Sequence, residues 1–347
     1  MGDDMAEQPQ GASATMADVA RLAGVSVPTV SRVLSGTHPV SHERRQRVEE
    51  AIATLGFRRS AAARALKNRR SDIVAVITSS TSMYGYAETI RGIELAARLE
   101  QLTVMIAVAE TDAPEDVTRA MDAALAHTPT GVLVLAFDTA GVAVLDRFPT
   151  DVPVVAVSGQ RDRRFPQALI DERSAAFELT SHLLQLGHPT VTHVSVPASG
   201  KEDGRTTGWR EALHRAGAQV PDVIEASWLP ASGRDIGRAL AHDRSVTAVF
   251  CGNDEIAMGF MRGLAEEGVR VPDDISVVGF DDHPLAALWT PSLTTVRQDF
   301  AELGFRALQM LPALREHPHI SARELCPRVV LRESSAPVRS GRRSGRV

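Results

Sequence analysis

The chain has 347 residues, 44% of them hydrophobic and 23% charged, and a formal net charge of −5. At roughly 100–200 residues per domain this predicts two or three domains of ordinary globular composition. It excludes a disordered polyampholyte, and no apolar run reaches the roughly 18–20 residues that would span a bilayer. The polar opening MGDDMAEQPQGASATM lacks the apolar stretch of a secretory signal. Cys251 and Cys326 are the two cysteines, too few for a disulfide framework or a cysteine zinc site. A cytoplasmic location is expected.

The average charge hides a division. Residues 15–70 hold eleven Arg and Lys against four Asp and Glu, net +7, whereas residues 71–333 are net −13. A small basic head on a large acidic body is the asymmetry expected if only the head meets a polyanion. Residues 1–14 and the basic residues 334–347 read as disordered tails.

The head reads as three short helices. Thr15 with Asp18 three residues on has capping-box spacing, and Val19, Leu22 and Ala23 follow at helical intervals. Ala23-Gly24-Val25 is a tight turn in which Gly24 is free to take positive φ. Ser26 is placed as the next N-cap, with Val27 and Pro28 in the first turn, where a missing N–H is tolerated. Val30, Val33 and Leu34 form that helix's apolar stripe. A third helix is predicted from Ser41 to Leu55, with Gly56 as its stop.

Two short helices joined by a glycine turn and followed by a third make a helix-turn-helix unit. Thr15-Met16-Ala17-Asp18-Val19-Ala20, Ala23-Gly24-Val25-Ser26 and Thr29-Val30-Ser31-Arg32-Val33-Leu34 closely resemble the N-terminus of the lactose-repressor (LacI/GalR) family. By that resemblance the helix beginning near Ser26 enters the major groove, with Val27, Pro28 and Arg32 at base-reading positions. An arginine can pair bidentately with guanine O6 and N7, and apolar residues can meet a thymine methyl. The short hydroxyls of Thr15, Ser26, Thr29 and Ser31 suit phosphate oxygens.

Residues 59–70 resemble the family's hinge helix, a segment too short and too poor in core-forming residues to be stable alone. There Leu66, with Ala63 beside it, would wedge into a minor-groove base step. Arg59, Arg64 and Lys67 would face phosphates. The family commonly has proline where Arg59 stands, which predicts a less rigid start to the hinge here.

From Ser71 the pattern changes to apolar runs alternating with helical stretches: Ile73–Ile77, Val104–Val108, Val132–Leu135 and Val154–Val157, then Val191–Val196, Ala248–Cys251 and Ile275–Gly279. Such runs indicate parallel sheets buried on both faces, and two sets predict two doubly wound lobes. No G-x-G-x-x-G follows the first run and no P-loop motif occurs, which disfavours a nucleotide-dependent α/β enzyme. Arg91-Gly92-Ile93-Glu94, Leu186-Gly187-His188-Pro189, Asn253-Asp254, Val278-Gly279-Phe280-Asp281-Asp282 and Leu293-Thr294-Thr295-Val296-Arg297-Gln298 resemble the periplasmic-binding-protein-type body of the same family. The expected fold is thus an all-α helix-turn-helix head (15–58), a hinge (59–70) and an α/β body. Its first lobe takes 71–170 and 299–325, its second 171–298 and 326–333.

The resemblance assigns effector contacts to Tyr86, Arg205, Trp228, Asn253, Asp281 and Gln298, and Asp138 is a weaker candidate. An Arg and an Asp can bracket vicinal hydroxyls, Asn253 and Gln298 each add a donor and an acceptor, and Trp228 offers a flat face to a pyranose. Each has a competing structural role. Asn253 could cap the helix that begins at Asp254, Asp281 could cap or turn the chain, Trp228 could pack between lobes, and Arg205, in a Gly/Thr-rich loop, could be a surface charge.

No H-E-x-x-H, His/Cys metal pair or G-x-S-x-G elbow is present, so an enzyme is not expected. Cys251, ending an apolar run, is expected to be a buried small hydrophobe. No cofactor or metal is expected beyond a small-molecule effector, a sugar by preference, with a purine, another nucleobase or a sugar phosphate as alternatives. The partners expected are a pseudo-palindromic DNA operator and a second copy of the chain, with no membrane. A transporter-type solute-binding protein is the competing class, but it has no use for residues 15–70.

Overall fold

The computed structural model describes residues 14–35, 39–57, 71–149, 152–197, 203–316 and 322–338. The chain divides into two compact units after Arg70.

In the first unit, α1 (Met16–Ala23), α2 (Val27–Ser35) and α3 (His42–Leu55) enclose a small core of Val19, Ala20, Ala23, Val30, Val33, Val48 and Ala51. The capping box is present: the Thr15 N–H donates to Asp18 Oδ2 at 3.0 Å and the Asp18 N–H donates to Thr15 Oγ1 at 3.3 Å. Gly24 ends α1 at φ 62°, and its N–H returns to the Ala20 and Arg21 carbonyls. Ser41 caps α3 by position only, since its side chain makes no cap hydrogen bond.

The second unit contains two parallel sheets. The first is ordered β11-β5-β4-β3-β1-β2. It is built from β1 (Ile73–Thr78), β2 (Thr103–Val108), β3 (Val132–Leu135), β4 (Val154–Ser158), β5 (Gln167–Ile170) and β11 (Arg323–Leu325). Helices α4 (Tyr84–Leu99) and α11 (Phe300–Glu316) cover one face, and α5 (Pro114–Leu125) and α6 (Thr139–Arg147) the other. The second sheet is ordered β7-β6-β8-β9, from β6 (Thr192–Ser195), β7 (Ile224–Glu225), β8 (Ala248–Cys251) and β9 (Ser276–Val278). Here α7 (Glu172–Gln185) and α8 (Gly204–Ala216) cover one face, and α9 (Pro230–Leu240) and α10 (Asp254–Glu266) the other. β10 (Thr295–Arg297) and β12 (Arg328–Val330) pair antiparallel, and β10 runs on from the second sheet through a bridge between Val278 and Thr294.

The long apolar runs are therefore central strands. The sequence reading missed β5, β10, β11 and β12, which are three or four residues long and carry polar or charged residues such as Gln167, Arg297 and Arg323. Pairing to an existing sheet edge, rather than local pattern, makes them strands.

The α9–α10 contact is unusually close because small residues face each other. A Cβ on Gly237 would lie 2.3 Å from the Phe260 carbonyl oxygen, and one on Gly263 would lie 2.1 Å from that of Arg234. Both helix backbones meet there without intervening side chains.

The chain passes from the first sheet to the second between Ile170 and Glu172, returns between Arg297 and Phe300, and passes again between Leu325 and Arg328. These crossings bring the carboxyl ends of both parallel sheets to one crevice, where open α/β sheets bind ligands.

Candidate functional site: a DNA-reading helix and an interlobe cleft

On the head, α2 turns Val27, Pro28 and Arg32 outward, with Val27 41% exposed, while Val30 and Val33 anchor the helix from beneath. The predicted hydroxyls are partly committed. Thr15 Oγ1 donates to Asp18 Oδ2 at 2.6 Å, which helps hold that carboxyl below its ordinary value. The Ser26 and Thr29 hydroxyls lie 2.8 Å apart, so one donates to the other and a single proton remains for an outside acceptor. Ser31 is half-buried and also engaged. Arg59, Ala63, Arg64, Leu66 and Lys67 lie outside the described residues.

In the body, loops at the carboxyl ends of the strands wall a cleft that opens to solvent. Met83–Tyr86 after β1 and Phe137 after β3 face it from the first lobe; Trp228 after β7, Asn253 and Glu255 after β8, and Asp281 after β9 face it from the second. Its aromatic wall is a chain of edge-on contacts: Tyr86 to Phe137 at 5.2 Å, Phe137 to Phe300 at 6.2 Å, and Phe300 to Tyr84 at 6.0 Å between centroids.

Arg205 is the electrostatic centre. It is not in a loop, as the glycine and threonine around it suggested: Asp203 caps α8, accepting from the Thr206 N–H at 2.9 Å, so Arg205 stands in that helix's first turn. It is 8% exposed. Its Nε and Nη2 donate to Glu172 Oε1 at 3.2 and 2.8 Å, and Nη1 donates to the Gly252 carbonyl. Asp281 Oδ1 lies 3.5 Å from Nη2, and the guanidinium sits 4.7 Å from the centroid of the Phe280 ring. Burial opposes the guanidinium charge, but Glu172 and Asp281 outweigh it and drive the pKa up.

Asp281 caps no helix. It has φ 113°, is 7% exposed, and accepts from Gln298 Nε2 at 2.6 Å. Burial pushes its carboxyl up to about 7, against the pull of Arg205 and Gln298. Gln298 stands behind Asp281 and faces an adjoining polar cavity rather than the cleft itself. Its buried Oε1 has no partner among the described residues.

Asn253 is the cap of α10 and also lines the cleft. Its Oδ1 accepts from the Ile256 N–H at 2.8 Å as the cap of α10, and its Nδ2 donates to Glu255 Oε2 at 3.0 Å in the cleft wall. Trp228 likewise packs on the second lobe's core while lining the cleft. The buried Tyr86 hydroxyl donates to Asp138 Oδ2 at 2.8 Å; Asp138 also caps α6 and accepts from the Ser79 hydroxyl. Cys251 is buried, and burial pushes its thiol pKa up.

Sequence reasoning missed Glu172, Glu255, Phe137 and Phe300. Glu172 becomes the Arg205 partner only through packing of α7 on α8. Glu255 had a readable signal, since the second position of a helix that follows a strand of a doubly wound sheet lies beside the crevice.

A helix-turn-helix head and a two-lobed body with an aromatic, carboxylate-lined cleft in one chain define a ligand-binding regulator. Residues 15–60 match bacterial regulatory proteins of the lacI family, and residues 180–335 match a periplasmic binding protein-like domain. The ribose operon repressor of Escherichia coli strain K12 is 34% identical over 310 residues, which span 86% of this chain and 92% of the relative. Among solved structures, a lac repressor dimer bound to operator and the anti-inducer ONPF has TM-score 0.84 and 28% identity, covering 94% of this chain and 100% of the other. The transcriptional regulator CelR in complex with cellobiose has TM-score 0.68 and 27% identity, covering 93% of this chain and 100% of the other. The chain belongs to the lacI family of bacterial regulatory proteins and is a DNA-binding transcriptional regulator.

Proposed function

We propose that the protein is a cytoplasmic, non-catalytic repressor that binds a pseudo-palindromic operator as a homodimer and is controlled by a small polyhydroxylated effector, a sugar by class, held in the interlobe cleft. The observation that carries the effector half is the buried polar chain Glu172–Arg205–Asp281–Gln298 opposite an aromatic wall. Buried polar groups beside aromatic faces are the arrangement that binds hydroxyls and the apolar side of a sugar ring together. The DNA half rests on the outward Val27, Pro28 and Arg32 of α2 and on the operator complex of the lac repressor dimer. A transporter role gains nothing from residues 15–60, which match the regulatory family.

Control follows from linkage. An effector with different affinity for two arrangements of the lobes shifts the population between them, and the operator affinity changes by the same coupling free energy. Selection of bound duplexes from a random pool by the full chain, followed by a mobility-shift titration, tests this reading. A two-fold symmetric site is expected, and Arg32→Ala should cost about 1–3 kcal/mol on it while leaving binding to random DNA nearly unchanged. Recovery of unrelated duplexes without sequence preference would refute the DNA half.

A further inference from the structure

The cleft has a marked imbalance of donors and acceptors. Arg205 is the only guanidinium lining it among the described residues, and its three nitrogens are already directed at Glu172 and the Gly252 carbonyl. The Tyr86 hydroxyl proton is given to Asp138, and Asn253 gives a proton to Glu255. The remaining capacity is mostly acceptor: the Glu255 carboxyl, which accepts from Asn253 and the Tyr84 N–H, the Asp281 carboxyl, which accepts from Gln298, and the unpartnered, buried Gln298 Oε1 behind Asp281. A phosphate or carboxylate ligand would bring more acceptors to carboxylates and find no unclaimed cation.

Glu255 is the sharper observation. Among the described residues no cation forms an ion pair with it, although it is half-buried and lines the cleft beside Tyr84, Tyr86, Phe137, Trp228 and Phe300. Burial pushes its carboxyl pKa up, and the Tyr84 backbone N–H and the Arg205 guanidinium partly offset this. A carboxylate set among aromatic faces is the setting in which an ammonium is held by charge-assisted hydrogen bonds and by ring quadrupoles together.

We infer that the cleft selects a polyhydroxylated ligand bearing a protonated amine, an amino sugar or aminated polyol, with Glu255 as the ammonium partner and Asp281 as acceptor for its hydroxyls. This rests on the cleft being the effector site. The test is calorimetric titration of the full chain with hexoses, the matching hexosamines, their N-acetyl derivatives and hexose phosphates of the gluco and galacto series. Hexosamines should bind about 10-fold or more tightly than their hexoses, a gain of about 1.4 kcal/mol, and N-acetylation, which removes the charge, should abolish the gain. In Glu255→Gln, which keeps the shape of the side chain, the ratio of hexosamine to hexose affinity should fall to about one, whatever happens to the hexose affinity itself; Glu255→Asp should keep part of the preference. Hexoses or hexose phosphates binding as tightly as hexosamines, or a preference that survives Glu255→Gln, would overturn the inference and leave the effector-cleft reading standing. If no member of the panel binds, the inference fails, and the reading it rests on is then decided by whether any ligand releases or strengthens operator binding.

Discussion

Replacing Arg205 with methionine removes the charge at the centre of the cleft and keeps most of the side chain's volume. The change leaves Glu172 Oε1 without the donors at 2.8 and 3.2 Å, leaves the Gly252 carbonyl without its side-chain partner, and takes the guanidinium from beside Asp281. Both carboxylate side chains are only 9% exposed, so water can replace little of what is lost. Breaking one side of a buried ion pair costs about 3–5 kcal/mol, because the orphaned charge stays desolvated. At about 2 °C per kcal/mol for a unit of this size, the midpoint should fall by roughly 6–10 °C. Thermal and urea unfolding followed by tryptophan fluorescence read the right region, since Trp209, Trp228 and Trp289 are the only tryptophans and all belong to the segment that forms the second lobe. Adding Glu172→Gln to Arg205→Met removes one orphaned charge and should recover at least about 1 kcal/mol, a coupling that a double-mutant cycle isolates. A loss below about 1 kcal/mol, indifferent to Glu172, would show that the guanidinium does not hold these groups and would refute the electrostatic account of the cleft.

Asp281→Asn addresses pH. The Asp281 carboxyl, ordinarily near 3.8, is raised to about 7 by burial, so the folded chain keeps a proton that the unfolded chain releases, and stability falls as pH rises through that window. From pH 5 to 8 this group should take about 2–3 kcal/mol from the wild type; asparagine, which tolerates the positive φ, should remove that slope, and equal slopes by denaturant titration would contradict it. Gly237→Ala places a methyl 2.3 Å from the Phe260 carbonyl oxygen, and forcing α9 from α10 should cost about 1–3 kcal/mol or more; an unchanged urea midpoint would show that the helices slide apart freely. Leu66→Ala should weaken binding to the selected operator more than binding to random DNA in paired mobility shifts, and equal losses would sink the minor-groove wedge.

Much of the architecture was legible because its signals are local. The Thr15–Asp18 box, the Gly24 turn and the apolar periods of Val19, Val30 and Val33 each need only a few neighbouring residues to be recognised. The central strands likewise announce themselves as unbroken apolar runs, being buried on both faces. What stayed hidden depends on distant packing. Arg205 looked like a loop residue because glycine and threonines surround it, yet Asp203 starts a helix there. Its partner Glu172 is 33 positions away. The Asp281 backbone at φ 113° and the choice of Gln298 as its donor follow from how β10 lies beside the end of β9, which no short window contains. Asn253 shows the limit of choosing between roles, since one amide caps α10 and faces the cleft at once.

The coupling between cleft and DNA is the central claim. Its most direct test is to titrate a ligand that binds the body into the complex of the full chain with its selected operator, for the wild type and for Asp281→Asn, following fluorescence anisotropy of the DNA. The wild-type operator affinity should change by about 5-fold or more, the size of an ordinary allosteric coupling, and the variant should bind the operator as tightly without responding. A wild-type complex indifferent to a ligand that demonstrably occupies the cleft, or a variant that responds as fully as the wild type, would contradict the account.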